Sequence, residues 1–202
     1  MRTQRLIIYA FAACVVSLVA GSAMADHEDL DRFDRTLKGT YRHMASSNGA
    51  SAGAAGFTPF PSLQALGDGA TGHVYFTGII IYDGKGKATE TLHGISLVDG
   101  PYAAGTFPVL TFEETCDWTY TVNHDKSFSR EGSCKGKTTG GQFAGDTYTL
   151  SGLKYEGQIA VGGALLITYQ VEPVVTELSN GFSIKQLGGI QGTEVRIHHQ
   201  RE

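Results

Sequence analysis

The chain has 202 residues, with 16 basic and 20 acidic side chains, 41% apolar residues and a net charge of −4. Mild acidity argues against a nucleic-acid binder, which grips phosphates with clustered Lys and Arg. The apolar share argues against wholesale disorder, and the length suits one domain.

The first residues, Met1-Arg2-Thr3-Gln4-Arg5, form a short positive segment. Leu6 to Ala20 is apolar and uncharged, and Ala23-Met24-Ala25 offers a small-x-small cleavage pattern. This is the layout of a compact, bacterial-looking secretory signal over residues 1–25, with an apolar run short of the roughly 20 residues that span a membrane. The remaining residues 26–202 are read as a single domain, periplasmic or secreted. Cys14 leaves with the signal, and Cys116 and Cys134 remain. An even pair in an exported chain reads as a disulfide.

Residues 28–37 space Leu30, Phe33 and Leu37 as one face of a short amphipathic helix. Gly39 to Met44 reads as a first strand. Residues 46–72 read as a long first loop, Gly/Ala/Ser-rich and then carrying Phe57 and Phe60, which either pack on the core or close over a cavity as a lid. Strands are then expected over 73–82, 88–98 and 106–113, and after the disulfide hairpin over 146–155, 159–171, 173–178, 182–187 and 193–199. Turn residues separate them, and 138–145 reads as loop. Glycine is 27 of 202 residues, about twice the usual ~7%. Glycines inside strands, such as Gly78, Gly94, Gly152 and Gly163, suit the bends of a small barrel. The expected fold is all-β: an antiparallel up-and-down barrel of about 8–10 strands, with a short N-terminal helix. An outer-membrane barrel is the competing all-β reading, disfavoured by the terminal His198-His199-Gln200-Arg201-Glu202 and by charges spaced to face outward.

The cysteines fix a register. Asp125 lies midway between Cys116 and Cys134 and centres a His124-Asp125-Lys126 turn. A hairpin about that turn sets Cys116 opposite Cys134, Tyr120 opposite Arg130 and Val122 opposite Phe128. Trp118 shares their face, and Thr119, Thr121, Asn123, Ser129 and Glu131 take the other. A slip of one residue would lose both the disulfide and the inside–outside pattern. Close cross-strand Cβ atoms place the cysteines at a non-hydrogen-bonded pair. Arg130 is therefore an inward cation beside Trp118 and Tyr120, able to stack on their rings. Its charge needs partners, either a ligand carboxylate at the barrel mouth or carbonyls and a Glu at the barrel end.

Other motifs carry little chemistry. Gly132-Ser133-Cys134-Lys135-Gly136-Lys137-Thr138 is one residue short of a phosphate loop and follows a hairpin strand. No Gly-x-Ser-x-Gly elbow or His-Glu-x-x-His occurs. His198 and His199, adjacent on a strand, face opposite ways. Glu113 and Glu114 do the same and read as a solvated strand end. No catalytic residue, metal site or cofactor is indicated.

The short helix, Gly39-Thr40-Tyr41 opening the first strand, the long first loop and the successive hairpins with an aromatic–Arg pair resemble the lipocalin-like, or calycin, β-barrels. Those barrels usually carry Gly-x-Trp at the first strand, covered by an Arg near the end of the barrel. Here Tyr41 takes the Trp position, and Arg130 is mid-chain. Phe76 to Gly86 and Tyr120-Thr121-Val122 also resemble uncharacterised exported bacterial barrel proteins. The resemblance implies an interior pocket but names neither ligand nor catalytic group. The leading expectation is a binding module for a small apolar or amphipathic ligand, lined by Trp118, Tyr120, Phe128 and Arg130 with Phe57 or Phe60 on a lid. The alternatives are an envelope structural or interaction protein with a filled barrel and an apolar surface patch, and a barrel cyclase- or isomerase-type enzyme. The enzyme would need an inner titratable group with a displaced pKa.

Overall fold

A computed structural model describes residues 33–52, 55–58, 69–99, 109–141, 143–160, 163, 165–170, 174–179, 181 and 183–197. Nine antiparallel strands form one sheet: β1 (Gly39–Ala52), β2 (Gly69–Tyr82), β3 (Lys87–Asp99), β4 (Val109–Val122), β5 (Ser127–Gly140), β6 (Thr147–Ile159), β7 (Leu165–Gln170), β8 (Val174–Leu178) and β9 (Ser183–Arg196). Each strand from β1 to β6 pairs with the next, β9 pairs with both β7 and β8, and β8 also pairs with β6. β1 pairs with β9 from Tyr41↔Arg196 to Ala52↔Lys185, which closes the ring. Closure removes the free edges that an open sheet must protect. The up-and-down barrel expected from turn spacing is the fold observed.

Several boundaries differ from the sequence reading. The segment taken as the start of a long loop, Ser46 to Ala52, continues β1, and β2 begins at Gly69. These small residues have little strand propensity. They are held extended by backbone hydrogen bonds from β2 on one side and β9 on the other. Residues 138–140, read as loop, belong to β5. The two C-terminal segments read as separate strands are one, β9, running through Gly188 and Gly189. Of the expected N-terminal helix, residues 28–32 lie outside the described residues. Phe33 and Asp34 are helical and lead into a 3-10 turn at Arg35–Leu37. Residues 1–25, Phe60 and His198–His199 also lie outside the described residues.

The disulfide hairpin has the predicted register. Cys116 pairs with Cys134, Trp118 with Gly132, Tyr120 with Arg130 and Val122 with Phe128. The disulfide is formed, with Cα atoms 4.0 Å apart, as a close non-hydrogen-bonded pair allows. Farther along, a bulge inserts one extra residue into β6 between Leu150 and Leu153. Gly152 takes φ 73° there, a conformation that side-chain-bearing residues avoid. The bulge keeps Leu153 and Leu150 both facing inward.

Inside the barrel, glycines sit across from aromatic rings. A Cβ on Gly94 would meet the Phe112 ring at 2.6 Å, and one on Gly132 would meet the Trp118 ring at 2.7 Å. The Tyr148 ring covers Gly136 in the same way. Each glycine makes room for the ring that its strand partner supplies, a pairing that suits curved sheets. Asp117, Glu131, Lys135, Lys137 and Glu156 stand exposed on the outer face, as suits a sheet that meets water there.

One end of the barrel is plugged by the N-terminal turn. Leu37 is fully buried, the Asp34 carboxylate accepts the Val122 N–H at 2.7 Å, and the Asp34 carbonyl accepts the Tyr120 hydroxyl at 3.2 Å. Above the plug Tyr41, Tyr82 and Tyr120 stack edge to face, with centroids 5.4 and 5.0 Å apart. Arg130, Glu194, Glu90 and His43 lie buried in this half of the barrel. Removing one member of a buried ion pair strands the other, at a cost of about 3–5 kcal/mol. Glu194→Ala is therefore expected to lose that much in urea unfolding. The double variant Arg130→Met/Glu194→Leu, which removes both charges, should recover most of it. Equal losses in the two proteins would show that the pair itself, and not an orphaned charge, carries the stability.

Candidate functional site

Arg130 is the centre of the plugged half. Its guanidinium carbon lies 4.7 Å from the Trp118 ring centroid and 5.0 Å from that of Tyr155. One terminal nitrogen donates to Glu194 Oε1 at 2.5 Å and to the Tyr82 hydroxyl at 2.9 Å, and Tyr82 donates to Glu194 Oε2 at 2.8 Å. Burial opposes the guanidinium charge. The negative charge of Glu194, helped by Tyr82 and Glu90, outweighs it and raises the Arg130 pKa. A second set adjoins the first: Trp118 Nε1 donates to Glu90 Oε2 at 3.0 Å, and Glu90 Oε1 lies 2.5 Å from His43 Nδ1. Burial would raise the Glu90 pKa, but the His43 charge and hydrogen bond bring it below the usual carboxylate value.

A second arginine–aromatic pair, not named from the sequence, forms at Arg196. Its guanidinium lies over the Tyr41 ring, 5.2 Å from the centroid, and donates to the Tyr41 hydroxyl at 2.9 and 2.6 Å. One nitrogen also reaches the Thr36 carbonyl at 2.6 Å, tying the plug to the last strand. Sequence reading settled on Arg130 as the aromatic–Arg pair. The signal for Arg196 was its place at the end of the last strand, and only the β1–β9 register brings it to Tyr41.

Trp118, Tyr120, Phe128 and Arg130 thus share one interior, as expected, and each is at most 4% exposed. Arg130 takes its counter-charge from Glu194, the barrel-end solution foreseen for it. Phe57 forms an isolated bridge and is half-buried.

The other half of the barrel is less tightly sealed. Val74, Phe76, Tyr148, Leu150 and Ile190 face inward by the strand registers yet remain partly exposed. So does Glu114, read from the sequence as part of a solvated strand end. Glu113 and Glu114 do face opposite ways, and Glu114 is the one that points in, two residues before Cys116 on the same face. One of its oxygens accepts the Tyr148 hydroxyl at 2.7 Å. Loss of water around the carboxyl raises its pKa to about 7. The Tyr148 hydrogen bond pulls it down, and the Glu90 charge pushes it further up. The register that placed Cys116 inward gave Glu114 the same direction, so the signal was present in the sequence. The run of two acids concealed it.

A Glu114 oxygen and the two disulfide sulfurs all lie within 4.8 Å of one another. That spacing suits a metal, but both sulfurs are bonded to each other, so the set offers no thiolate. The buried polar atoms without a hydrogen-bond partner among the described residues are His43 Nε2, Arg130 Nε and one Arg130 terminal nitrogen in the plugged half, and the Thr176 hydroxyl on β8. Half-exposed apolar walls and a carboxyl poised between charge states are what a small-molecule site uses.

No family model matches the chain, and no curated protein matches it. Among solved structures, the S-type phycobiliprotein lyase CPES from Guillardia theta is similar at a TM-score of 0.27 and 8% identity. The match covers 84% of this chain and 93% of that one. At that TM-score the likeness bears no weight.

The raised Glu114 pKa has a stability consequence. Between pH 4.5, its ordinary value, and about 7 the folded chain holds the Glu114 proton more tightly than the unfolded chain. The unfolded state then binds fewer protons, and stability falls as pH rises through this window. Thermal unfolding at pH 5, 6, 7 and 8 is expected to show that decline, and Glu114→Gln should flatten it. An unchanged slope in the variant would place the carboxyl in water.

Proposed function

We propose that this chain is an exported binding barrel that takes a small amphipathic ligand into the half of the barrel away from the N-terminal plug. The observation that carries this reading is the change along the barrel axis. Inward side chains near the plug are sealed, whereas Val74, Phe76, Tyr148, Leu150 and Ile190 farther along the axis are only partly buried, with Leu92, Phe112 and Thr138 sealed beside Glu114. Val74, Phe76, Leu150 and Ile190 would meet the apolar part of the ligand. Glu114 and Tyr148 would meet a hydroxyl, carbonyl or other hydrogen-bonding group. Trp118, Tyr120, Phe128 and Arg130, the lining expected from the sequence, lie in the sealed half below the pocket, and Phe57 and Phe60 stay as the proposed lid. The lipocalin-like plan, with Arg196 over Tyr41, supports the same reading. Export to the periplasm or beyond is part of the proposal, supported by the signal-like residues 1–25 and by the disulfide.

A second reading, the interaction protein, is favoured by a different observation. Met44, Tyr75, Ile81, Ile95 and Val195 are each 44–54% exposed on the outer face of β9, β1, β2 and β3, where a partner could cover them. The enzyme reading required an inner titratable group with a displaced pKa, and Glu114 is one.

One titration separates the two leading readings. The probe is 1-anilinonaphthalene-8-sulfonate, an amphipathic anion, added to the folded mature protein. Binding inside the barrel predicts one site per chain. Ile190→Trp, which fills the open half, should weaken it about tenfold or more, the equivalent of ~1.4 kcal/mol. Tyr75→Glu on the outer face should leave it unchanged. The reverse pattern would overturn the pocket and favour the surface. Native mass spectrometry of the protein purified from its own compartment supplies the companion test: a mass lost on denaturation is the expected ligand.

A further inference from the structure

The outer wall of the barrel carries its charge unevenly. On β4 and β5 the outward side chains include Glu113, Asp117, Lys135 and Lys137, all exposed. The wall from β9 through β1 and β2 to β3 is different. Strand alternation and the cross-strand registers set Val195, Met44, Tyr75, Ile79, Ile81 and Ile95 side by side there, with Thr77, Thr89, Thr91 and Thr193 among them. The six apolar side chains are each 36–54% exposed. Together they leave roughly 500 Å² open, and the threonines extend the face toward the ~800 Å² that one partner of a standard interface covers.

Arg42 is the charged residue within this face, and it selects the partner. Its cross-strand neighbours are Ile79 and Val195, so its own sheet sets no acid beside it. A partner that covers the face must bring an acid to that cation. The chain itself carries two at the right place. Arg42, Ile79, Thr91 and Thr115 form one cross-strand row from β1 to β4, and Glu113 and Asp117 flank Thr115 on the same face of β4. Asp117 has Thr89 and Ser133 as its cross-strand neighbours, so no lysine opposite it competes.

We propose that this face binds a second copy of the chain in a two-fold dimer. The axis runs along the strands between β2 and β3. It sets β1 of one copy over β4 of the other at the same height, so each Arg42 faces Thr115 of the other copy with Asp117 and Glu113 on either side. An axis across the strands would instead lay β1 on β1 and bring the two Arg42 charges together. Ile79, Ile81, Tyr75 and Ile95 meet their copies at the centre, where sheets pack about 10 Å apart. Two barrels curve away from each other toward the sides, and the long Arg42 side chain spans that widening gap. The symmetry makes each ion pair twice. The dimer rests on the reading of this face as an interface, and it leaves the barrel interior free for a ligand.

Sedimentation equilibrium of the folded mature chain is expected to show a dimer at micromolar concentration. Ile79→Glu, which places a charge at the centre, should weaken it about a hundredfold or more. Arg42→Glu should weaken it about tenfold, and Arg42→Glu combined with Asp117→Arg should recover most of that loss. All three positions are exposed on the wall, and near-ultraviolet circular dichroism from Trp118 checks each fold. A chain that is monomeric at about 100 μM, an Ile79→Glu protein that still dimerises, or a double variant no tighter than Arg42→Glu would overturn the proposal. Photo-crosslinking in the producing cell separates the choice of partner from the use of the face. Benzoylphenylalanine in place of Thr91 should give an adduct at twice the mass of the chain. An adduct with a different protein would overturn the second copy and keep the face as an interface, and no adduct would overturn both.

Discussion

A guanidinium sealed inside a β-barrel must find its counter-charge within the protein, and much of this structure follows from that requirement. Arg130 on β5 meets Glu194 on β9 across the interior, with Tyr82 of β2 bonded to both. The three groups join strands distant in sequence. Trp118 and Tyr155 cover the faces of the guanidinium, and Trp118 turns its N–H to Glu90, which holds His43 of β1. Six strands are thus linked by two hydrogen-bonded sets that meet where Arg130 stacks on Trp118. Such a network stabilises little beyond what an apolar core would, but it tolerates few alternatives, because each unpaired member is costly. Specifying one closed arrangement of nine strands is a fitting role for it.

The same network divides the barrel. With aromatic rings and charged pairs filling the plugged half, any chemistry with a small molecule is left to the other half. The boundary is the disulfide layer. Below it lie Trp118 and Gly132, and above it Glu114 and Gly136. The cross-strand glycines reinforce the division by letting large rings lie flat against the sheet near the axis. Glu114 stands at the boundary with its proton loosely held near neutral pH. Ligand capture in the open half draws on that position.

The hairpin between the cysteines was legible residue by residue, because one symmetry about Asp125 satisfied the disulfide and the polar–apolar alternation together. Strand count and antiparallel order followed from turn spacing. The long first loop was misread at its start because Ser46 to Ala52 carry almost no side-chain preference; their strand conformation is imposed by two neighbours. Arg196 was passed over because its partner, Tyr41, lies at the opposite end of the strand order, and nothing local joins them. Glu114 was passed over because a solvated pair of acids is the ordinary reading of Glu113-Glu114.

By itself, then, the sequence determined the local facts: an all-β chain, the direction each side chain of the central hairpin takes, and an inward arginine among aromatics. Those depend on periodicity and turns, which act over a few residues. Tertiary structure decided which charges pair, where the ring closes, and which half of the interior stays open. Those outcomes rest on contacts between strands far apart in the chain, such as Arg130 with Glu194 and Tyr41 with Arg196. Their geometry exists only once the sheet has closed on itself.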